Sequence, residues 1–124
     1  MAGKLVLPRV HVFVLCDEIV AKVGEDRVFD LKGVRSEVRA AAFPHTHPQL
    51  CVYVQVTGHE GTASLHIEIE QAATDSAILS TPIQEVELRD PVTIEHVGFW
   101  IPACEFPAAG LYYVQVYFET SKPN

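Results

Sequence analysis

Apolar and polar residues alternate with a period of two through most of this chain. Leu65, Ile67 and Ile69 alternate with serine, histidine and glutamate. Such alternation places one row of side chains on each face of a β-strand. The same pattern recurs at residues 50–56 and 112–118. It predicts antiparallel strands that bury one face and expose the other.

Weaker alternation predicts six further strands, which turn-forming residues separate. These strands are expected at residues 10–16, 19–23, 27–31, 37–43, 85–88 and 92–101. Residues 71–79 are expected to form a loop with at most one helical turn. The turn at residues 58–61 separates two strongly alternating segments and therefore predicts a β-hairpin. Residues 92–94 are out of phase with residues 97–101, which predicts a bulge near residues 96–98 or a change of buried face.

Seven to nine short strands with regular turns predict an all-β fold, a single antiparallel β-sandwich of immunoglobulin-like or jelly-roll topology. The length of 124 residues fits one domain, residues 1–124, with a short flexible tail expected at residues 120–124. Asp17 and Glu18 interrupt the first apolar run and are expected to mark the end of its strand. Alternation does not establish the order of the strands, so both topologies stay open.

Composition excludes several classes of protein. Hydrophobic residues make up 48% of the chain, which is too many for a disordered protein. No apolar run approaches the ~18 residues of a membrane-spanning helix, and a net charge of -7 is unsuited to a phosphate backbone. We therefore expect neither a membrane nor a nucleic-acid partner. The three cysteines form no CxxC motif and no signal peptide is recognised, which together favour the cytoplasm.

The motif His45-Thr46-His47 is the strongest indication of a metal site. Two histidines at this spacing in a strand point to the same face and can share a metal ion. Jelly-roll cupins use such a pair followed by a glutamate, but no glutamate stands at the corresponding position here. A third and a fourth ligand would come from among His59, His66 and His96. One hypothesis is therefore a cupin-like enzyme that uses a divalent metal, and the alternative is a polar turn without a cofactor.

Tyrosines and glutamines occupy the second face of two predicted strands. If residues 50–57 and 111–119 pair in one sheet, this face contains Tyr53, Gln55, Tyr113, Gln115 and Tyr117. Tyrosine is enriched at interfaces because it combines a large area with a polar tip. The alternative is an ordinary exposed face with cross-strand aromatic pairs.

The tyrosine–glutamine face and the lack of compact enzyme motifs favour a non-catalytic binding or assembly module. We expect it to self-associate as a homo-oligomer, or to dock a protein partner, through a sheet face or an edge strand. A third hypothesis is a sandwich that binds carbohydrate or peptide through Tyr53, Tyr113 or Trp100.

Several segments in a fixed order resemble an uncharacterised bacterial all-β family, a domain of unknown function. The segments are residues 14–19, residues 29–34, Ala42-Phe43-Pro44, His47-Pro48 and residues 106–112. They correspond to an "LLCD" start, a "GV" turn, an "FP" corner and a closing "FPxxGxY" strand entry. The resemblance implies a β-sandwich and assigns no activity or catalytic residue.

Overall fold

The computed structural model describes residues 9–58, 60–90 and 92–120, and these residues form β-strands and no helix. It follows that no helix in this part of the chain could span a membrane. The nine strands are β1 (Arg9–Cys16), β2 (Glu18–Ala21), β3 (Phe29–Lys32), β4 (His45–Thr57), β5 (Gly61–Gln71), β6 (Ser76–Ser80), β7 (Gln84–Leu88), β8 (Glu95–Phe106) and β9 (Tyr112–Thr120). The expected tail at residues 120–124 lies outside the described residues, except for Thr120 at the end of β9.

Two antiparallel sheets form the sandwich. The first sheet has the order β1-β4-β8. In the second sheet β5 is central, because β9 pairs with it along its length while β6 and β7 each pair with one half of it. Since an inner strand has two edges, β6 and β7 share the edge opposite β9. The all-β sandwich predicted from the alternation is confirmed.

The hydrophobic core lies between the inner faces of β4 and β8 in the first sheet and of β5 in the second. Alternate residues of each strand are buried, as the period of two requires. The largest fully buried side chains between the two sheets are Phe99, Leu50, Leu65, Ile67, Ile69, Val52, Val54 and Val56. Full burial of one such side chain contributes roughly 1.5–3 kcal/mol.

A small hairpin of β2 and β3 covers the outer face of the first sheet. Ile19, Phe29 and Leu31 of this hairpin pack with Cys51 and Tyr53 of β4 in a second, smaller core. β4 is therefore buried on both faces along residues 50–54. The outer face of the second sheet has no such cover among the described residues, where its side chains stay partly or fully exposed.

The hairpin expected at residues 58–61 is wrong, because β4 and β5 lie in different sheets. The connection carries the chain from one sheet to the other, so the apolar rows of the two strands face each other across the core. The hairpin in this region is formed instead by β5 and β6, with Gln71 opposite Ser76. The loop expected at residues 71–79 is accordingly only partly correct.

Two further expectations are also wrong. Residues 37–43 form no strand, although Val38 packs against the core from an irregular segment. β8 shows no bulge near residues 96–98, since its register with β4 is continuous there. The change of phase arises because β8 begins at Glu95, so residues 92–94 belong to the preceding loop.

Ile67 provides a test of the core, because it is 0% exposed at the centre of β5. We expect Ile67→Ala to lower the free energy of unfolding by about 2–5 kcal/mol through the cavity that it leaves. Ile83→Ala is the matched control, since Ile83 is 65% exposed, and it should change the value by less than about 0.5 kcal/mol. Urea denaturation followed by circular dichroism measures both. Equal losses in the two variants would contradict this description of the core.

Candidate functional site

The predicted tyrosine–glutamine face is divided between two sheets. Tyr53 and Gln55 lie on β4 in the first sheet, whereas Tyr113, Gln115 and Tyr117 lie on β9 in the second. The single face predicted from the sequence is therefore wrong, because its two strands do not pair.

Tyr53 is an internal residue and is unsuited to surface recognition. It is 6% exposed, and its ring lies 5.9 Å from that of Phe29 in the covering hairpin. Its hydroxyl hydrogen-bonds with His96 and accepts a hydrogen bond from Gln55. Burial lowers the pKa of His96, which favours the neutral ring in this contact. Tyr53 and Gln55 thus stabilise the packing of the covering hairpin on the first sheet.

Two of the three β9 residues, Gln115 and Tyr117, form a hydrogen-bonded network with Glu70 on the uncovered face of the second sheet. The Tyr117 hydroxyl donates to Glu70 (3.1 Å), and the Gln115 amide donates to the same carboxylate at 3.1 Å. The His66 ring stacks on Tyr117 with 5.2 Å between ring centroids. Burial, together with the hydrogen bond to Glu70, raises the pKa of Tyr117. The tyrosine is therefore a neutral donor at physiological pH, and the network fixes an aromatic surface along β9.

The backbone edge of β9 that faces away from β5 is the second feature of this region, and we call it the free edge of β9. Within the described residues, β5 is the strand that pairs with β9, through nine consecutive residue pairs without a register shift. Side chains along residues 112–118 carry no charge and include no proline. A long, regular and uncharged edge of this kind is a ready template for another strand.

The other edges of the two sheets carry features that oppose strand addition. β8 contains Pro102, which has no N–H to donate. β1 changes register between Val10 and Val12, and the Leu15 carbonyl accepts a hydrogen bond from the Arg35 backbone (2.9 Å). β6 and β7 have only five residues each. Among the described strands, β9 therefore presents the least protected edge.

The flank of the sandwich that contains β9 also contains β1. On the opposite flank, the Gln84 side chain of β7 donates to the Gly98 carbonyl of β8 at 2.7 Å. Since β4 and β5 are central, β1 and β9 lie together on the other side. A cleft of about 270 Å³ opens at one end of this flank. Its walls are largely apolar and include Leu15, Val38, Phe43, Leu50, Phe106 and Tyr112.

Asp17 organises the connection between β1 and β2. Its carboxylate accepts two hydrogen bonds from the Arg35 guanidinium, and His47 Nε2 lies 3.1 Å from Oδ1. Its backbone carbonyl accepts a hydrogen bond from the Gln49 side chain at 2.9 Å. A Cβ at Gly33 would lie 2.3 Å from Asp17 Oδ2, and the φ of Gly33 is +66°. Glycine is therefore required at this turn, both for its backbone conformation and for the space that the carboxylate occupies.

The structure places the two predicted metal ligands, His45 and His47, near each other, but the described part of the chain does not complete a metal site around them. The rings of His45 and His47 are 6.3 Å apart between centroids, and His47 is engaged with Asp17. His66 lies on the second sheet and His96 contacts Tyr53, while His59 lies outside the described residues. The described part of the chain contains no group of three His, Cys, Asp or Glu residues that could hold a metal ion. The geometry thus adds no support to the cupin-like hypothesis.

The residues considered for carbohydrate binding do not form one surface. Trp100 is 55% exposed, and it lies opposite Cys51 on the outer side of the first sheet. Tyr113 is 49% exposed on the second sheet. The rings of Trp100 and Tyr113 therefore belong to opposite sides of the sandwich, and Tyr53 is buried beneath the β2–β3 hairpin. No aromatic platform of the expected composition is assembled by these three residues.

Comparisons with known proteins bear on the family. The model of a family of unknown function, DUF6941, matches residues 11–122. The match agrees with the resemblance to an uncharacterised domain seen in the sequence motifs. No curated protein and no solved structure matches the chain.

Asp17 gives the fold a defined dependence on pH. The hydrogen bonds from Arg35 lower the pKa of Asp17 below its ordinary value, and the contact with His47 acts in the same direction. The ion pair therefore contributes fully above the unfolded-chain pKa of about 3.9. Its contribution is lost as the pH falls through the lower pKa of the folded state. The side chains of Asp17 and Arg35 are 36% and 28% exposed, so solvent screening limits the energy.

We expect Asp17→Asn to reduce the free energy of unfolding at pH 7 by about 1–2 kcal/mol, as for a screened, charge-assisted hydrogen bond. The difference from the wild type should shrink as the pH falls below about 4, since the wild-type carboxylate then loses its charge. Arg35→Met should remove most of the same pH dependence and leave the smaller part that comes from His47. Urea denaturation between pH 3 and pH 7 measures each variant. A constant difference across that range would contradict the ion pair as the cause.

Proposed function

Because the chain belongs to DUF6941, a family whose function is unknown, we propose its function from the described geometry: it is a non-catalytic assembly module. It joins other polypeptide chains by accepting a strand along the free edge of β9. The observation that carries this proposal is the contrast between that edge and the others. The edge of β9 is long and regular and is uncharged along residues 112–118, whereas proline, irregular register or short length protects the remaining edges.

The side chains of β9 support a role in recognition. Backbone hydrogen bonds along an added strand supply affinity, and the side chains on alternate residues supply specificity. Tyr113 and Tyr117 are 49% and 37% exposed, so both rings are accessible to an added strand. Gln115 and Tyr117 are held by Glu70, which limits the side-chain entropy that binding removes. The free edge therefore combines backbone groups with two exposed tyrosines, of which Tyr117 is held by hydrogen bonds.

The inner side of the same flank adds apolar surface. Phe118 of β9 and Phe13 of β1 are 37% and 38% exposed. Phe13 lies opposite the buried Val54, and Phe118 lies opposite the buried Leu65. Both rings thus point toward the interior of the sandwich but remain accessible at its flank. An added strand beside β9 would cover part of this surface and so gain hydrophobic burial.

The proposal also covers the cellular compartment of the protein and the kind of organism that it comes from. Three buried free cysteines suit a reducing environment, and burial raises the pKa of the thiols of Cys16, Cys51 and Cys104, which keeps them protonated. We therefore propose a cytoplasmic location, and the resemblance of the sequence motifs to a bacterial family supports a bacterial origin.

A peptide that copies residues 111–119, with lysines added at both ends for solubility, tests strand addition. The full-length chain should bind this peptide saturably, with a dissociation constant on the order of 10 µM. Binding should slow hydrogen exchange at alternate amides of β9, because every second N–H of an edge strand faces away from its neighbour. Calorimetry and NMR-detected exchange provide the two measurements.

The matched control is the same peptide with N-methyl groups at alternate residues, in two versions that differ by one position. The version that blocks the hydrogen-bonding edge should bind at least about tenfold more weakly, since several hydrogen bonds are lost. The absence of saturable binding by the unmethylated peptide would overturn the proposal. Slower exchange in β1 or β8 without a change in β9 would overturn it as well.

A further inference from the structure

The sequence of β9 reads nearly the same in both directions. Residues 112–118 are Tyr, Tyr, Val, Gln, Val, Tyr and Phe, with Gln115 at the centre. Tyr113 and Tyr117 are equidistant from this centre, as are Val114 and Val116. At the ends, Tyr112 and Phe118 are both aromatic. This symmetry lies on the strand whose edge is the least protected in the described part of the sandwich.

Antiparallel pairing restricts how two identical strands can meet. In a regular antiparallel pair, the backbone N–H and C=O groups of two opposed residues either both point toward the other strand or both point away from it. This direction alternates along a strand, so two opposed residues of a self-paired strand are both odd-numbered or both even-numbered. Their residue numbers therefore add to an even number. The two-fold axis therefore passes through a residue that lies opposite its own copy. Each residue of β9 defines one such register.

We propose that the partner strand is β9 of a second copy, related by a two-fold axis at Gln115. This inference rests on the proposed function and specifies its partner. In this register Tyr113 lies opposite the second copy's Tyr117, and Val114 lies opposite the second copy's Val116. Tyrosine pairs form on the outer face and valine pairs on the inner face. Aromatic and β-branched cross-strand pairs of this kind stabilise a sheet.

Other registers lose this match. An axis at Val114 or Val116 places Gln115 opposite Tyr113 or Tyr117 of the second copy, and it leaves both tyrosines of each copy without an aromatic counterpart. An axis at Tyr113 or Tyr117 shortens the overlap of the two strands. The axis at Gln115 gives seven matched pairs in residues 112–118. Such pairing supplies about six to eight backbone hydrogen bonds across the axis.

Charge is compatible with this arrangement although each copy carries a net charge of -7. Glu119 would lie opposite the second copy's Leu111, so it does not face its own copy. Glu68 and Glu70 belong to β5, which is separated from the second copy's β5 by both β9 strands. At about 4.8 Å per strand, the two β5 strands are about 14 Å apart, which exceeds the screening length of about 8 Å at physiological salt. The acidic residues of the two copies are thus screened from each other.

The pairing also produces a closed assembly. Both free edges of β9 are used by the same contact, because a two-fold interface is isologous. The two second sheets join into one continuous sheet with β9 of each copy at its centre. The outer edges of this joined sheet are formed by the short strands β6 and β7, which are poor templates for further addition.

Disulfide trapping in the full-length chain tests the register. In Gln115→Cys, the new thiol lies opposite its own copy, within the Cα separation of about 4.4–6.8 Å that a disulfide needs. We expect oxidation with diamide to give a covalent dimer. Glu119→Cys is the matched control on the same face, since its two copies would lie about 27 Å apart along the strands. The wild type serves as a second control, because its three cysteines are buried.

The covalent dimer of Gln115→Cys should exceed that of Glu119→Cys by at least about tenfold, because the required separation is met only at residue 115. Trapping of Tyr113→Cys or Tyr117→Cys alone, with none at residue 115, would overturn the register but leave strand addition to β9 intact. Binding of the β9 peptide without trapping at any of these positions would overturn self-pairing while the proposed function stands. The two proposals therefore fail on different observations.

Charge complementation provides a second measurement that needs no cysteine. Gln115→Glu places two carboxylates opposite each other at the axis and should weaken the dimer at least about tenfold. An equimolar mixture with Gln115→Lys should restore association as a heterodimer, because opposite charges then meet at the axis. Sedimentation velocity from 1 to 100 µM measures the mass. Equal association of Gln115→Glu alone and of the mixture would overturn the axis at Gln115.

Discussion

The contact between the inner faces of β4 and β5 is the constraint on which the rest of this fold depends. These two strands are among the longest in the chain and follow each other directly. Each carries an unbroken row of aliphatic residues on one face, and the two rows are buried in the same core between the sheets, together with residues of β8 such as Phe99. A hairpin would have placed both rows on one side of a single sheet. The chain instead crosses from one sheet to the other between β4 and β5, and each strand becomes the centre of its own sheet.

The two outer faces of the sandwich then have different surroundings. On the first sheet, the β2–β3 hairpin covers Cys51 and Tyr53, and the Asp17–Arg35 ion pair fixes the chain where it leaves β1. Gly33 belongs to the same arrangement because its missing side chain makes room for the carboxylate of Asp17. On the second sheet, the side chains of β9 and β5 bond to one another instead. The ordered but uncovered surface is therefore found on the second sheet alone, within the described residues.

The alternation of side chains predicts which residues share a face, but it does not predict which strands pair. Alternation predicts the strand at residues 64–70 and its buried face, and the burial of Leu65 and Ile67 confirms both. The prediction that Tyr53 and Tyr113 share a face is wrong, because it assumed a pairing of β4 with β9 that the fold does not contain. Strand pairing depends on contacts between distant segments, and a local period carries no information about them.

The Asp17 cluster shows a different limit of sequence reasoning. Asp17 was recognisable as the end of a strand because it interrupts an apolar run, and β1 does end at Cys16. Its partners Arg35 and His47 are 18 and 30 residues away, and neither carries a local signal that points to Asp17. His47 instead suggested a metal because of its spacing from His45. A spacing of two residues in a strand fixes a common face but leaves the identity of the partner to the fold.

The near-symmetry of residues 112–118 has a meaning that only the fold supplies. In a central strand, such symmetry would follow from alternation alone and would have no consequence for assembly. β9 lies at an edge, where self-complementarity and accessibility coincide, and an unprotected edge carries a risk of open-ended aggregation. The proposed contact centred on Gln115 would remove this risk, because it uses both free edges in one closed pair. The absence of charge along residues 112–118 in an acidic chain fits this proposed contact, since a carboxylate opposite its own copy would oppose the pairing.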